Sequence, residues 1–529
     1  MIFLLTAAYL FLFRRFTTMD PDEGIILQGT QRILRGEVLY RDFFSFFTPG
    51  SYYLLAAVFK AFGNSLISAR TTLVVFGGVF SVVTYLLTRR VCQRWSALVV
   101  ATIVSLTSLP YRFMALHNWD STLWACLSIY CCVRLIETPT PRITWAFAAG
   151  TFTSFTFLFE QSKGAGLAVG LAVGLVAITL LRPIPPILTK ATVTAMLFGG
   201  VWPILATLIW FYQRNALQPM LSAWLWPLDH YSLANRVPYG YQNWSDTTRQ
   251  AFFALPTFDA LFTFLVVSPL LIVPFLPLLA LALFAYWIFR LWKRTVPEQK
   301  GAYYVLVNAA LLGLLLSIVI VRADIVHFMY LQPLFCITLA SVVDGRDIPG
   351  QLFSKIKPIL IGYLLVAFLL LGVSLLVRSV AVVSPVQTAR GEIRVRGDDS
   401  VIQYLRANVA PGEIMLVYPY LPLYYYLTET FSPGRYEYLQ PGMHTPDQFE
   451  EMLASLSANK VRSVLLELAF TDKIHTSWPN TPVGAFLKDP VSDYILQQYQ
   501  SCKVLQSPEG WRFLFLIHKD LRCPEAGAP

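Results

Sequence analysis

The chain has 529 residues, of which 56% are hydrophobic types and only 14% are charged, with a formal net charge of +10. Soluble domains carry roughly 25% charged residues, so a chain built wholly of water-soluble domains is excluded. The positive charge does not mark a nucleic-acid partner. From Arg378 onward there are 14 Lys/Arg against 16 Asp/Glu, so the whole excess lies earlier, mostly between apolar runs.

Those runs set the architecture. A helix needs about 20 apolar residues to cross a hydrocarbon core of roughly 30 Å. The pattern predicts eleven crossings, near 1–14, 67–88, 95–110, 119–135, 143–160, 164–181, 191–211, 262–289, 302–321, 328–343 and 358–377. With the N-terminus in the cytoplasm, the inside loops hold 14 basic residues, from Arg89 to Lys357, against Glu137, Glu298, Asp344 and Asp347. Lys and Arg are retained on the cytoplasmic side, which places the odd-numbered loops and everything after 377 outside. The first segment lacks a basic n-region and a small-residue cleavage site, and reads as an anchor. Span six carries Gly166, Gly170 and Gly174 at intervals of four, a bare face for close helix packing inside the bundle.

The first outside loop, 20–63, is amphipathic. Asp20-Pro21-Asp22-Glu23 predicts a helix start, with Asp20 as N-cap, Pro21 in the first turn and Glu23 reaching back to the cap. That helix runs to Arg35, and a second begins at Thr48-Pro49 and ends at Gly63. Capping accounts for one or two of the acids but does not require three in four residues. Neighbouring carboxylates raise each other's pKa and share a proton or a cation, which marks Asp22 and Glu23 as functional candidates.

Other outside stretches are polar for such short turns: Arg112 with His117 and Asp120, Glu160 with Lys163, and Arg322 with Asp324 and His327. Arg112, Lys163, Arg322 and His327 fall at about one depth and suit a phosphate headgroup, whose oxygens accept charge-assisted hydrogen bonds. The alternatives are ion pairs of Glu160 with Lys163 and of Arg322 with Asp324, and a capping role for Asp120. His117 and His327 lack a third ligand at zinc-site spacing.

After 377 the pattern changes to helices at 400–409, 447–456 and 490–498 alternating with strands at 413–417, 463–468 and 511–517. That predicts a small α/β domain over 378–529. Six tyrosines between 418 and 442 offer faces for sugars or for packing on the membrane domain. Cys502 and Cys523 can pair if this domain is extracytoplasmic.

The run from Met19 through Asp22-Glu23-Gly24, continuing into residues 33–43 and Thr48-Pro49-Gly50, resembles the first periplasmic loop of polytopic GT-C glycosyltransferases. The nearest group is the bacterial family-39 type, similar to protein O-mannosyltransferases and the lipid A aminoarabinose transferase. The resemblance implies a GT-C fold and sugar transfer from a polyprenyl-phosphate-linked donor to an acceptor outside the bacterial cytoplasmic (inner) membrane. It implies a catalytic carboxylate at Asp22, with Glu23 beside it, a second acid at Asp120, and donor-phosphate contacts from Lys163, Arg322 and His327. Asp22 would act as base, and the basic cluster, alone or with Mg²⁺ or Mn²⁺ held by Asp22 and Asp120, would stabilise the leaving phosphate. The Glu-Lys-Pro element of the lipid A enzyme is absent, Phe46-Phe47-Thr48-Pro49 standing in its place, so that acceptor is not carried over. A lipid-sugar flippase and a membrane scaffold are the alternatives. A flippase predicts a charged path through the bundle and paired broken helices, whereas the polar residues here gather at one surface.

Overall fold

The computed structural model describes the chain except residues 138–141, 182–186, 232–234, 238, 240–245, 345–350, 469–477, 479–480, 482–488 and 525–529. Every predicted span falls on helix. The membrane portion comprises α1 (Ile2–Leu10), α2 (Pro21–Leu34), α3 (Gly50–Phe62), α4 (Leu66–Val91), α5 (Arg94–Tyr111), α6 (His117–Glu137), α7 (Arg142–Phe159) and α8 (Gln161–Leu181). It continues with α9 (Lys190–Tyr212), α10 (Leu217–Trp226), α11 (Asp246–Phe253), α12 (Thr257–Ile272), α13 (Leu276–Trp292), α14 (Glu298–Val321), α15 (Ile325–Met329), α16 (Gln332–Val343) and α17 (Gln351–Leu376). Among the described residues, six helices are long and apolar enough to cross a membrane by length and composition.

Two expected spans are interrupted. The run 262–289 breaks into α12 and α13 at a short 3-10 turn, Val273–Phe275, because Pro274 supplies no backbone donor and blocks the helical ladder. The run 328–343 likewise splits into α15 and α16, with Pro333 in the first turn of α16.

The glycine face of α8 packs inside the bundle, against α14. A Cβ at Gly166 would strike the Gly313 carbonyl, one at Gly170 the Ala309 carbonyl, and one at Gly174 would lie 3.0 Å from the Ala309 side chain. Bare backbone lets the two helices approach closely, and dispersion replaces the hydrophobic drive that lipid cannot provide.

The C-terminal domain contains a hairpin, β1 (Ser384–Thr388) and β2 (Gly391–Val395), then α18 (Ser400–Asn408), β3 (Leu416–Tyr418), α19 (Leu423–Thr428), α20 (Pro446–Asn459), β4 (Ser463–Glu467), α21 (Pro490–Gln498), β5 (Tyr499–Gln506) and β6 (Arg512–His518). The main sheet has the order β3-β4-β6-β5, with β3 parallel to β4 and the other pairs antiparallel. Cys502 on β5 is disulfide-bonded to Cys523 beyond β6.

This domain is seated on the segment between α1 and α4. Tyr424, Tyr425 and Tyr426 of α19 are fully buried in one apolar cluster with Ile25, Ile26 and Leu27 of α2. Gly24 permits that contact, since any Cβ there would collide with the backbone of Leu423. Arg32 of α2 forms a buried ion pair with Glu437 at 2.7 Å. Arg435 Nη2 donates to the Tyr40 carbonyl at 2.9 Å, and Phe44 N donates to the Arg435 carbonyl at 2.8 Å. The tyrosine-rich segment is therefore largely packing surface.

Candidate active site

Asp20 caps α2, its Oδ1 accepting from Asp22 N at 3.0 Å and Glu23 N at 3.4 Å. The second Asp20 oxygen accepts from Arg112 Nη2, and the same guanidinium nitrogen lies 3.4 Å from Asp22 Oδ2. Capping and Arg112 thus account for Asp20, leaving the Asp22 side chain 35% exposed at the mouth of the site. Burial and the Asp20 charge raise the Asp22 pKa, against the lowering influence of Arg112, His327 and Arg322. A carboxylate raised in this way is a stronger base once ionised.

Glu23 departs from expectation. It does not reach back to the cap; instead Arg70 of α4 donates to it, Nε to Oε1 at 2.8 Å and Nη2 to Oε2 at 2.5 Å. Ala115 N donates to Oε1 as well, at 2.8 Å. Both side chains are fully enclosed, and Arg70 also donates to the Phe16 carbonyl. A buried charge demands a partner of opposite sign, and a guanidinium in the first turn of an apolar helix outcompetes an exposed backbone N–H. Sequence reasoning passed over Arg70, though a lone arginine inside an apolar run was the available signal.

The basic residues reach the site already paired. Lys163 is 1% exposed and lies 2.9 Å from Glu160 Oε2. Its Nζ also donates to the Asn118 carbonyl at 3.2 Å and sits 5.3 Å from the Tyr330 ring centroid. Arg322 Nε donates to Asp324 Oδ2 at 2.8 Å, and His327 Nδ1 lies 2.7 Å from Asp324 Oδ1. Burial opposes ionisation of Asp324, but the facing His327 and Arg322 outweigh it and hold its pKa below the carboxylate range. The ion pairs that the sequence offered as alternatives are thus formed. His327 keeps 28% side-chain exposure, and Arg322 also donates to Asn235 Oδ1 at 3.1 Å.

Asp120 lies in the first turn of α6, where its Oδ2 accepts from Ser51 Oγ of α3 at 2.6 Å. Asp22 and Asp120 therefore engage different partners. Among the described residues, no three His, Cys, Asp or Glu side chains converge as a metal site.

The sequence marked His117 only as a polar turn residue without a zinc set, and Tyr330 carried no signal at all. Among the described residues, the Tyr330 hydroxyl and His117 Nδ1 are buried with no hydrogen-bond partner, and Tyr330 lies within the fields of Arg112, Asp22 and Asp324. Above them, Tyr420 and Tyr438 of the C-terminal domain stand close enough to feel the Asp22 charge. Their rings make an edge contact 5.7 Å apart. An acidic helix start, paired cations from distant turns and an aromatic roof meet at one end of the helical bundle.

A helical membrane bundle with this acidic first loop and a small sheet domain has the fold of the GT-C membrane glycosyltransferases. Residues 48–210 match a family described as dolichyl-phosphate-mannose-protein mannosyltransferase. The chain is similar in structure to ArnT from Cupriavidus metallidurans bound to undecaprenyl phosphate, at 12% identity and a TM-score of 0.55, covering 99% of this chain and 98% of that one. It is also similar to the Archaeoglobus fulgidus oligosaccharyltransferase in complex with zinc and sulfate, at 12% identity and a TM-score of 0.54, covering 97% of this chain and 73% of that one. None of the curated protein sequences matches the chain.

Proposed function

We propose that the protein transfers a sugar from a polyprenyl-phosphate-linked donor to an acceptor at the outer face of the bacterial cytoplasmic membrane, with Asp22 as general base. The observation that carries this reading is Asp22 itself: a partly exposed carboxylate with raised pKa, fixed at the head of α2 beside Arg112 and within the fields of Arg322 and His327. The undecaprenyl phosphate bound to the ArnT neighbour supports the donor class. The Cys502–Cys523 disulfide supports an extracytoplasmic C-terminal domain, since disulfides persist in oxidising compartments.

In the proposed reaction, an acceptor hydroxyl oxygen attacks the anomeric carbon while the carbon–oxygen bond to the donor phosphate breaks. The hydroxyl proton passes to Asp22, and polyprenyl phosphate departs with the bonding electrons. Attack opposite the phosphate inverts the anomeric centre. Arg322 and His327 share the one Asp324 carboxylate, and in this reading their N–H groups face the departing phosphate. The unpartnered Tyr330 hydroxyl and His117 Nδ1 are free to bind substrate oxygens. Glu23 and Arg70 position α2 rather than touch the reacting atoms.

The test is transfer by the purified protein in liposomes, using synthetic polyprenyl-phosphate sugars and cell-envelope extracts as acceptors. Asp22→Asn should retain donor binding and lose transfer by about 10²–10⁴-fold, the usual contribution of a positioned base. Transfer at the parent rate would overturn the assignment.

A further inference from the structure

Five arginines gather where the first and last apolar helices reach the outer side. Arg14 and Arg15 follow the 3-10 turn Phe11–Phe13 that extends α1. Arg378 lies in the turn Val377–Ala381 that ends α17 and packs beside that extension. Arg394 and Arg396 arrive from the hairpin, which is pinned there by Thr17 N donating to the Arg394 carbonyl at 2.8 Å and Arg394 N to the Arg15 carbonyl at 2.7 Å. On the bilayer side of this group Phe11, Leu12, Val373 and Val377 are exposed, which sets the guanidiniums at headgroup depth.

The nearby acids do not balance them. Glu392 is taken by Arg15 at 2.6 Å, and Glu509 accepts from Met19 N at 3.2 Å and Ser507 Oγ at 3.1 Å. Asp398 and Asp399 are the remaining acids in this stretch of sequence, and Asp399 is buried as the N-cap of α18. Among the described residues neither Arg378 nor Arg396 forms an ion pair, and the two guanidiniums lie close enough to repel one another. Arginine outside also runs against the bias that otherwise orients the chain.

We propose that this patch binds the phosphodiester headgroup of an anionic phospholipid in the outer leaflet. The inference rests on the outward orientation of the functional reading, but not on its chemistry. The patch adjoins the candidate donor site, since Arg112 and Arg378 line one pocket with Phe16, Thr18, Tyr111 and Ser379, so the experiment separates a phospholipid from the polyprenyl phosphate carrier.

The experiment counts phospholipids retained by the full-length protein, by native mass spectrometry from nanodiscs of dioleoylphosphatidylglycerol mixed with dioleoylphosphatidylcholine. The parent protein should retain phosphatidylglycerol selectively, and added salt should weaken that retention. Removing two guanidiniums in Arg378→Gln/Arg396→Gln should weaken it on the order of tenfold, leaving phosphatidylcholine unchanged. Arg396→Gln alone, on an exposed hairpin, provides a smaller effect in the same direction should the double variant misfold. Unchanged selectivity in either folded variant would overturn the proposal. So would one-for-one displacement of phosphatidylglycerol by polyprenyl phosphate, which would make the patch a carrier subsite. Asp22→Asn separates the two readings: it should leave phosphatidylglycerol retention intact whether or not transfer is lost.

Discussion

Arg70 and Glu23 form a doubly hydrogen-bonded ion pair in which neither side chain has any solvent exposure. The pair ties the first turn of α2 to α4, and Ala115 N ties the same carboxylate to the turn before α6. Removing one partner leaves the other buried and uncompensated. Glu23→Gln should therefore destabilise the protein by about 3–5 kcal/mol, seen as a fall in the thermal midpoint in detergent. Asp22→Asn, at a partly exposed position, should leave that midpoint nearly unchanged. Equal effects from the two substitutions would contradict the division of roles.

The Asp22 carboxylate should set the acid limb of the transfer rate. Its pKa is raised, so the base form appears only as pH climbs above the ordinary carboxylate range. Asparagine at position 20 caps a helix as well as aspartate does but removes the neighbouring negative charge. Asp20→Asn should thus move the acid limb of kcat/KM toward lower pH, without abolishing transfer. A limb that stays in place would show that another group titrates.

Asp399, the N-cap of α18, provides a stability test in the C-terminal domain. Burial pushes its pKa up to about 7, against the lowering bonds from Ile402 N and Val401 N. The folded state then holds the proton more tightly than the unfolded state does, between about pH 4 and about pH 7. Domain stability should fall as pH rises through that window, by about 1.4 kcal/mol per pH unit at most, and flatten above it. Asp399→Asn should remove this slope, gaining stability at pH 8 relative to the parent but not at pH 4. Hydrogen exchange of the amides in β3 and β4 would report it.

The α8–α14 seam should tolerate no side chain at Gly166 or Gly170, a methyl included. Gly170→Val would push a branched group into the Ala309 carbonyl, with overpacking worth about 1–3 kcal/mol. The same change at Gly362, where a Cβ meets nothing, is the control. Comparable losses of folded protein at both sites would argue against the seam.

The bundle was legible because apolar run length is a coarse and strong signal, and the α2 start because Asp20-Pro21 states a cap explicitly. The partners of the charges were harder to read. Glu23 was assigned to its own cap because i, i+3 spacing is visible in one dimension, while Arg70 is 47 positions away and meets it only through packing. Lys163 and Arg322 were read both as phosphate ligands and as ion-paired residues, and burial in a membrane protein favours the second. The strand β5 went unseen because it follows α21 without a break and alternates weakly, being an edge strand with much of its surface in water. The hairpin β1–β2 was hidden by Pro385 in its first strand.

Because α19 rests directly on Gly24, the outer domain is joined to the very helix that carries Asp22. Cutting the chain after the last span would not yield a smaller working enzyme; it would strip the apolar cover from Ile25, Ile26 and Leu27 and let the carboxylate's own support collapse. The two parts of the polypeptide thus mature as one object, and quality control of the soluble half is quality control of the active centre.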